Sequence, residues 1–215
     1  MKKGLTELVF ILDRSGSMMG MAEDTIGGFN GLIEKQKQEP GEAYVSTVLF
    51  STVSTVIHDR VPLAEVPPMT RHDYCPMGCT ALLDAVGDAI RHIRNVHKYA
   101  RPEDVPERTL FVITTDGMEN ASRRHTLAEV KELISRQQEQ GWEFIFLGAN
   151  IDAVSTAESM GIAASHAATY RCDSAGTRTN FEALDHAVQC ARACAPIAAD
   201  WKRDIEDDYR RRKGS

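Results

Sequence analysis

The stretch that decides the fold class is Leu8-Val9-Phe10-Ile11-Leu12-Asp13-Arg14-Ser15-Gly16-Ser17-Met18. Its first five residues are an uninterrupted apolar run, which is typical of a strand buried on both faces of a parallel sheet. Asp13, Ser15 and Ser17 then alternate at a spacing of two, and Gly16 allows the loop to turn tightly. The stretch therefore predicts a buried strand that ends in converging oxygen-bearing side chains.

Strand and helix patterns alternate along the rest of the chain. Apolar and β-branched runs predict further strands at 44–50, 53–58, 110–114, 144–147 and 166–170. Helical spacing predicts helices around Ile26 to Ile33, at 81–97, at 126–140, at 153–160 and around Phe181 to Val188. Because the strands at 44–50 and 53–58 leave almost no room between them, they form an antiparallel hairpin at one sheet edge. We predict an α/β fold, a doubly wound and mostly parallel sheet with helices on both faces.

Polar residues cluster where such a sheet binds ligands, at the carboxyl ends of its strands. Asp13, Ser15 and Ser17 follow the first strand, Asp116 follows the fourth, and Thr80 is the predicted N-cap of the helix at 81–97. Carboxylates and hydroxyls are hard donors, which suit Mg²⁺, Mn²⁺ or Ca²⁺ better than zinc or copper. Because only two carboxylates contribute, a bound cation would keep positive charge, and a carboxylate from outside could complete its shell.

These segments resemble the von Willebrand factor type A (VWA) domains. Residues 8–18 resemble the Asp-x-Ser-x-Ser motif of the family's metal-ion-dependent adhesion site, residues 76–82 are similar to its threonine loop, and residues 113–117 resemble its final acidic motif. All three occur in the family's order, and the resemblance covers about residues 5–190. It implies a Rossmann-like fold with these metal-binding residues: Asp13, Ser15, Ser17, Thr80 and Asp116.

The resemblance also implies a function. Intracellular members of the family often serve as adaptors for large assemblies, and the open metal position in the family usually takes an Asp or Glu side chain of a partner protein, so we expect a non-catalytic protein-binding module. Arg14, Gly117 and Glu119 are the residues that we expect at the partner surface, with a solvated loop as the alternative for Glu119. Cys79 stands where the family often has glycine.

Other interpretations of the motifs remain. Asp13 alone could cap the first helix, and a family member can keep the motif yet bind metal weakly. Residues 10–13 also resemble the nucleophile strand of haloacid-dehalogenase phosphatases, so a metal-dependent hydrolase is the alternative function. Those enzymes need a second Asp as general acid at the position that Ser15 occupies here. No phosphate-binding glycine loop follows a strand, and we expect Gly27, Gly28 and Gly31 to serve close helix–sheet packing.

Composition limits the class of protein. The 215 residues include 25 Lys and Arg against 31 Asp and Glu, a net charge of -6, and 42% are hydrophobic. These values are typical of one soluble globular domain and argue against nucleic acid or an acidic membrane as partner. No apolar stretch reaches the roughly 20 residues of a membrane span.

Five cysteines favour reduced thiols and a cytoplasmic location. His72, Cys75 and Cys79 match no zinc pattern and predict packed thiols in a loop.

The C-terminal segment differs in composition. We predict a VWA-like domain at 1–195 and a charged helix or tail at 196–215. Trp201, Ile205 and Tyr209 are spaced four apart, which favours a helix that folds back on its own domain. The basic run at 210–213 follows several acidic residues and predicts a solvated end. The partner and the oligomeric state stay open.

Overall fold

A computed structural model describes residues 1–212 of the chain. The strands are β1 (Lys2–Asp13), β2 (Glu42–Phe50), β3 (Ser54–Pro62), β4 (Pro106–Thr115), β5 (Trp142–Ala149) and β6 (Ala167–Tyr170). The α-helices are α1 (Ala22–Gln38), α2 (Leu82–Tyr99), α3 (Leu127–Gln138), α4 (Ala153–Ser159), α5 (Ser174–Arg192) and α6 (Arg203–Arg212). A short 3₁₀ turn, Gly16–Met21, joins β1 to α1.

The six strands form one sheet in the order β3-β2-β1-β4-β5-β6. All neighbours pair in parallel except β2 and β3, which pair antiparallel at one edge. The predicted fold class is therefore confirmed. β1 is longer than its apolar run predicted, because Lys2 already pairs with Pro106 at the start of β4.

Two apolar cores cover the two faces of the sheet, as expected of a doubly wound fold. Leu8, Phe10 and Leu12 of β1 point into the core beneath α1 and α5, whereas Val9 and Ile11 point into the core beneath α2 and α3. β1 and β4 are the two central strands, so their carboxyl ends lie side by side between the helices of the two faces.

The glycines of α1 do not serve the predicted helix–sheet packing. A Cβ at Gly28 would lie 2.1 Å from the Phe181 ring, so this glycine lets α1 approach α5. A Cβ at Gly27 or Gly31 would meet no atom within 4 Å. The expectation is wrong, because helix–helix contact explains one glycine and the other two border open space.

The C-terminal segment packs on the domain. Trp201 and Ile205 are buried in the core beneath α1 and α5, and the Trp201 indole N–H donates to the Ser165 carbonyl at 3.0 Å. The predicted fold-back is therefore present. The division at residue 195 stays a prediction, and the end of the basic run, residues 213–215, lies outside the described residues. Within residues 1–212, no helix is both long enough and apolar enough to cross a membrane.

Candidate metal centre

The ends of β1 and β4 bring the first and last motifs together. Leu12 pairs with Thr114, so Asp13 leaves the sheet beside Thr115. One oxygen of the buried Asp13 carboxylate accepts the Ser15 backbone N–H at 2.7 Å, and the other accepts the Thr115 hydroxyl at 2.6 Å. Two donors on neighbouring segments therefore hold this carboxylate in one orientation.

The two serines connect this carboxylate to Asp116. The Ser15 and Ser17 hydroxyl oxygens lie 3.1 Å apart, and the Ser17 hydroxyl donates to Asp116 Oδ1 at 2.6 Å. Ser15 and Asp116 are buried, whereas Ser17 is exposed. The alternation of Asp13, Ser15 and Ser17 thus places a row of contacting oxygen atoms at the end of β1, and Ser17 is the member of the row that faces solvent.

Backbone hydrogen bonds fix the threonine loop against the first motif. The Gly16 N–H donates to the Gly78 carbonyl at 3.1 Å, and the Met77 N–H donates to the Arg14 carbonyl at 2.8 Å. Gly78 has φ +76°, and a Cβ there would lie 2.6 Å from the Thr52 hydroxyl, so this turn needs glycine.

Thr80 itself lies beside the acidic motif. A Cβ at Gly117 would lie only 3.3 Å from Thr80 Oγ1, so glycine permits this close approach. The Thr80 N–H donates to Asn120 Oδ1 at 2.9 Å, and the Asn120 N–H donates back to the Thr80 carbonyl at 3.0 Å. The third predicted hydroxyl therefore lies next to the residue that follows Asp116.

The prediction that Thr80 is an N-cap is wrong. Helix α2 begins at Leu82, and Ala81 occupies the N-cap without a side-chain bond. Instead, Glu119 Oε2 accepts the Leu83 N–H at 2.9 Å from across the acidic loop. A carboxylate at a helix N-terminus also complements the helix dipole. The sequence analysis missed this cap because it comes from a residue 36 positions away.

Arg14 and Glu119, two of the predicted partner residues, are engaged within the chain. The second Glu119 oxygen accepts two backbone N–H groups of its own loop, at 2.7 and 2.8 Å. The Arg14 guanidinium donates to Thr55 Oγ1 at 2.7 Å and to the Asp73 carbonyl at 3.3 Å. Their internal contacts organise the loops, and their roles toward a partner stay predictions.

The centre carries uncompensated negative charge. Within residues 1–212, neither Asp13 nor Asp116 forms an ion pair with Lys, Arg or His. Burial raises the pKa of Asp13, hydrogen bonds from Thr115 and Ser15 oppose this rise, and the charge of Asp116 adds to it. The Cys172 thiol lies 3.9 Å from Asp116 Oδ2, and burial and that carboxylate raise its pKa to about 11. The neighbouring thiol therefore stays protonated.

The cysteines do not form a second metal centre. Cys75 and Cys79 are exposed, so the expectation of packed thiols is wrong for this loop, which runs over the surface. No group of three or more His, Cys, Asp or Glu side chains is placed to hold a metal in the described part of the chain. The candidate centre instead depends on hydroxyls for most of its donors.

The donors fit a hard divalent cation. Two carboxylates and three hydroxyls come together at the carboxyl ends of β1 and β4 from three loops, and the part of the chain that the structure describes gives the Asp pair no counter-cation. Oxygen donors of this kind are those that Mg²⁺, Mn²⁺ and Ca²⁺ prefer.

No protein-family model matches the sequence, and a search of curated proteins finds no match. Solved structures do match. The vWF domain of the pilus tip protein Mfa5 from Porphyromonas gingivalis has a TM-score of 0.62 at 9% identity over 85% of this chain and 94% of that domain. A von Willebrand factor type A protein from Catenulispora acidiphila has a TM-score of 0.56 at 15% identity over 86% of this chain and 42% of that one.

A third structure carries a metal. Proximal thread matrix protein 1 from the mussel byssus, with a zinc-occupied MIDAS motif, has a TM-score of 0.57 at 14% identity over 86% of this chain. This chain spans 46% of the length of that protein. Identities this low establish the fold alone, and the chain has the VWA fold.

Proposed function

We propose that this chain is a divalent-cation-dependent protein-binding module. Its five oxygen-bearing side chains hold the metal, and a partner protein completes the shell with an Asp or Glu carboxylate. The observation that carries the proposal is the Asp pair, which has no counter-cation within residues 1–212: Asp13 is held by the Ser15 N–H and the Thr115 hydroxyl, and Asp116 by the Ser17 hydroxyl. When bound, the cation supplies the missing positive charge and an open position for the partner.

The residues of the chain orient the donors. Thr115 and the Ser15 N–H hold Asp13, and Ser17 links the first loop to Asp116. Gly117 keeps space beside Thr80, and Glu119 joins the acidic loop to the first turn of α2. Arg14 follows Asp13 directly, and its guanidinium, held by Thr55 and the Asp73 carbonyl, is the cation that we expect a partner's acidic side chain to approach.

Magnesium is the proposed metal, with Mn²⁺ and Ca²⁺ as alternatives. The donor set supports this choice, because carboxylate and hydroxyl oxygens favour hard cations. Zinc belongs in the same titration, because the motif of the mussel protein is zinc-occupied.

The proposal includes a non-catalytic role in the cytoplasm. Ser15 stands where the phosphatases that the first strand resembles carry an acid, and its buried hydroxyl contacts Ser17. Five free cysteines, two of them exposed, support a reducing compartment. Failure to hydrolyse a panel of phosphate esters with added metal supports this part, and metal-dependent turnover that is lost in Asp13→Ala overturns it.

The test of the metal centre is calorimetry of the whole chain with Mg²⁺, Mn²⁺, Ca²⁺ and Zn²⁺. We expect Asp13→Ala to weaken metal binding by about 100-fold or more, since it removes a donor and the anchor of Ser15. Asp59→Ala is the matched control, because Asp59 pairs with His92 on another part of the surface. Equal metal affinity of Asp13→Ala and the native chain overturns the site.

The open position is tested with Mn²⁺ bound to the chain. Acetate, as a stand-in for an acidic side chain, displaces water from the metal and lowers the paramagnetic relaxation of water protons. Acetamide, which has the same shape without the charge, leaves the relaxation unchanged. A metal that binds but gives no response to acetate contradicts the carboxylate-acceptor role.

A further inference from the structure

A large groove lies between α2 and the β2–β3 hairpin. Its volume is about 670 Å³, within the range of ligand-binding pockets in proteins. Val48 pairs directly with Val56, so both side chains lie on the same face of the sheet and form its floor together with Val9.

The groove is open because the hairpin is covered on one face only. The connection after β3 crosses to the other face, where Leu63, Val66 and Met69 join the core beneath α1. On the groove side, α2 presents the small side chains Ala85 and Ala89. Val53 and Val56 consequently stay 65% and 54% exposed.

This groove borders two of the loops that form the candidate metal centre. The loop after β4 carries Asp116 at its start and lines the groove with Ala121 and Arg123. On the other side, Thr52 Oγ1 accepts the Cys79 N–H at 2.9 Å, so the tip of the hairpin joins the threonine loop. One bound peptide segment can therefore contact the groove and the metal centre at the same time.

The charged side chains at the groove rim largely pair with one another. Asp59 pairs with His92 at 2.8 Å, and Asp88 pairs with Arg124 at 2.7 Å. Arg123 is exposed, and its guanidinium has no ion pair within residues 1–212. Asp84 also lines the groove and lies 3.4 Å from Arg124, so the lining holds three carboxylates against two guanidinium groups and carries no excess of positive charge. The apolar floor, and not the charge of the rim, therefore determines what the groove accepts.

Exposed methionines surround the metal centre itself. Met19 and Met118 directly follow the first and last motifs, Met77 lies within the threonine loop, and all three are exposed. Methionine is flexible and polarizable, and surfaces rich in it adapt to apolar partners. The surface around the centre is therefore apolar as well as metal-binding.

We infer that the partner segment is a peptide in which an Asp or Glu is flanked by large apolar residues, with the carboxylate at the metal and an apolar side chain in the groove. The inference rests on the proposed function and names the chemistry of the partner. Such a peptide differs from a simple acidic ligand because an apolar side chain in the groove contributes to its affinity beside the carboxylate at the metal.

The test uses a displayed library of random peptides of about twelve residues, each with one fixed Asp, and selects on the native chain with Mn²⁺. Such a peptide spans up to about 40 Å when extended, which exceeds the distance between neighbouring loops. Enriched peptides are synthesised, and their affinities are measured by fluorescence anisotropy with Mn²⁺ and with a chelator. We expect Leu, Met, Phe or Ile to be enriched near the Asp.

The groove is tested with Val56→Glu, which places a charge on its exposed floor. We expect the peptides to bind about tenfold more weakly, because burying one apolar side chain contributes about that factor. Leu127→Glu is the matched control, an exposed apolar residue on α3 outside the groove, and leaves the affinity unchanged. Unchanged Mn²⁺ affinity shows that Val56→Glu keeps its fold and its metal centre.

A double-mutant cycle links the peptide to the groove. Replacing the enriched apolar residue by Ser weakens binding to the native chain but not to Val56→Glu, because both changes remove the same contact. Metal-dependent peptides without an apolar preference, and without sensitivity to Val56→Glu, overturn the inference and leave the proposed function standing. No enrichment over Asp13→Ala overturns the proposed function, and the inference with it.

Discussion

Two buried acidic side chains of β1 have opposite surroundings. Glu7 lies in the middle of the strand, fully buried, and its Oε2 accepts Arg60 Nε at 2.8 Å with His97 Nε2 at 3.3 Å. Asp13 lies at the end of the same strand and is equally buried, but its partners are a hydroxyl and a backbone N–H.

The difference teaches where this fold leaves charge for a ligand. The charge of Glu7 is balanced within the chain, so Glu7, Arg60 and His97 act as part of the structure. Asp13 and Asp116 have no such counter-charge within residues 1–212, and this is the charge that the proposed cation would balance. The two ends of the comparison therefore distinguish a charge that the fold neutralises from one that it leaves for a ligand under the proposed function.

The largest expected effect is on the stability contributed by Glu7. Glu7→Gln leaves the largely buried Arg60 without its carboxylate, and we expect a loss of about 3–5 kcal/mol in the free energy of unfolding, measured in urea. Glu42→Gln is the matched control, because Glu42 is an exposed acid paired with Lys2 at the sheet edge, and it leaves unfolding nearly unchanged. A loss below about 1 kcal/mol would contradict the structural role of Glu7 and remove its difference from Asp13.

The second effect is stabilisation by metal. At a Mg²⁺ concentration about 100 times the dissociation constant, the native chain gains about 2.7 kcal/mol. Glu7→Gln gains the same increment, whereas Asp116→Asn gains none, because only the second change removes a metal-binding charge. Thermal unfolding with Mg²⁺ and with a chelator measures these increments. Equal gains in all three proteins would place the metal elsewhere.

A smaller effect concerns Asp13 without metal. We expect Asp13→Asn to change the free energy of unfolding by less than about 1 kcal/mol. The amide oxygen still accepts the Ser15 N–H, the Thr115 hydroxyl can turn to accept the amide N–H, and the charge repelled by Asp116 is removed. Denaturation in a chelator checks this. A loss as large as that of Glu7→Gln would mean that Asp13 is structural too.

The smallest effect is a pH dependence from His58, a buried group that forms no ion pair within residues 1–212. His58 Nδ1 lies 3.0 Å from Thr47 Oγ1, the ring stacks on Phe29, and burial lowers the His58 pKa below 6.5 while Asp73 opposes this. The unfolded chain therefore binds more protons below pH 6.5, and stability falls as the pH decreases from there toward the folded pKa.

Urea unfolding at a series of pH values isolates this contribution. His58→Phe keeps an aromatic ring against Phe29 and removes the titrating group, so its stability falls less steeply below pH 6.5. Native and variant curves that run parallel through this range would assign the acid sensitivity to other groups.

The sequence predicted most of the fold, because strands and helices follow from local hydrophobic periodicity. All six strands and the antiparallel edge were expected, and the errors lie at ends such as Lys2, where an exposed polar segment still pairs with β4. The glycines of α1 were misread, since the contact of Gly28 with Phe181 joins two helices that lie far apart in the chain.

The centre was predictable to the level of its motifs. The spacing of Asp13, Ser15 and Ser17 and the position of Asp116 after a strand signalled converging oxygens. The bond from Thr115 to Asp13, the cap that Glu119 supplies to α2 and the inward turn of Arg14 were not predictable, because each joins loops that are distant in the sequence.

By itself, the sequence determined the α/β class, the strands that would be buried and the edge at which acidic and hydroxyl side chains would gather, since these follow from periodicity over a few residues. Only the tertiary structure decided which acids would be neutralised. Glu7 pairs with Arg60 and His97 from 53 and 90 residues away, Asp13 pairs with no cation of residues 1–212, and the hairpin leaves one face open beside the candidate centre. Pairing of charges and covering of faces depend on which distant elements pack together, and no local pattern encodes that.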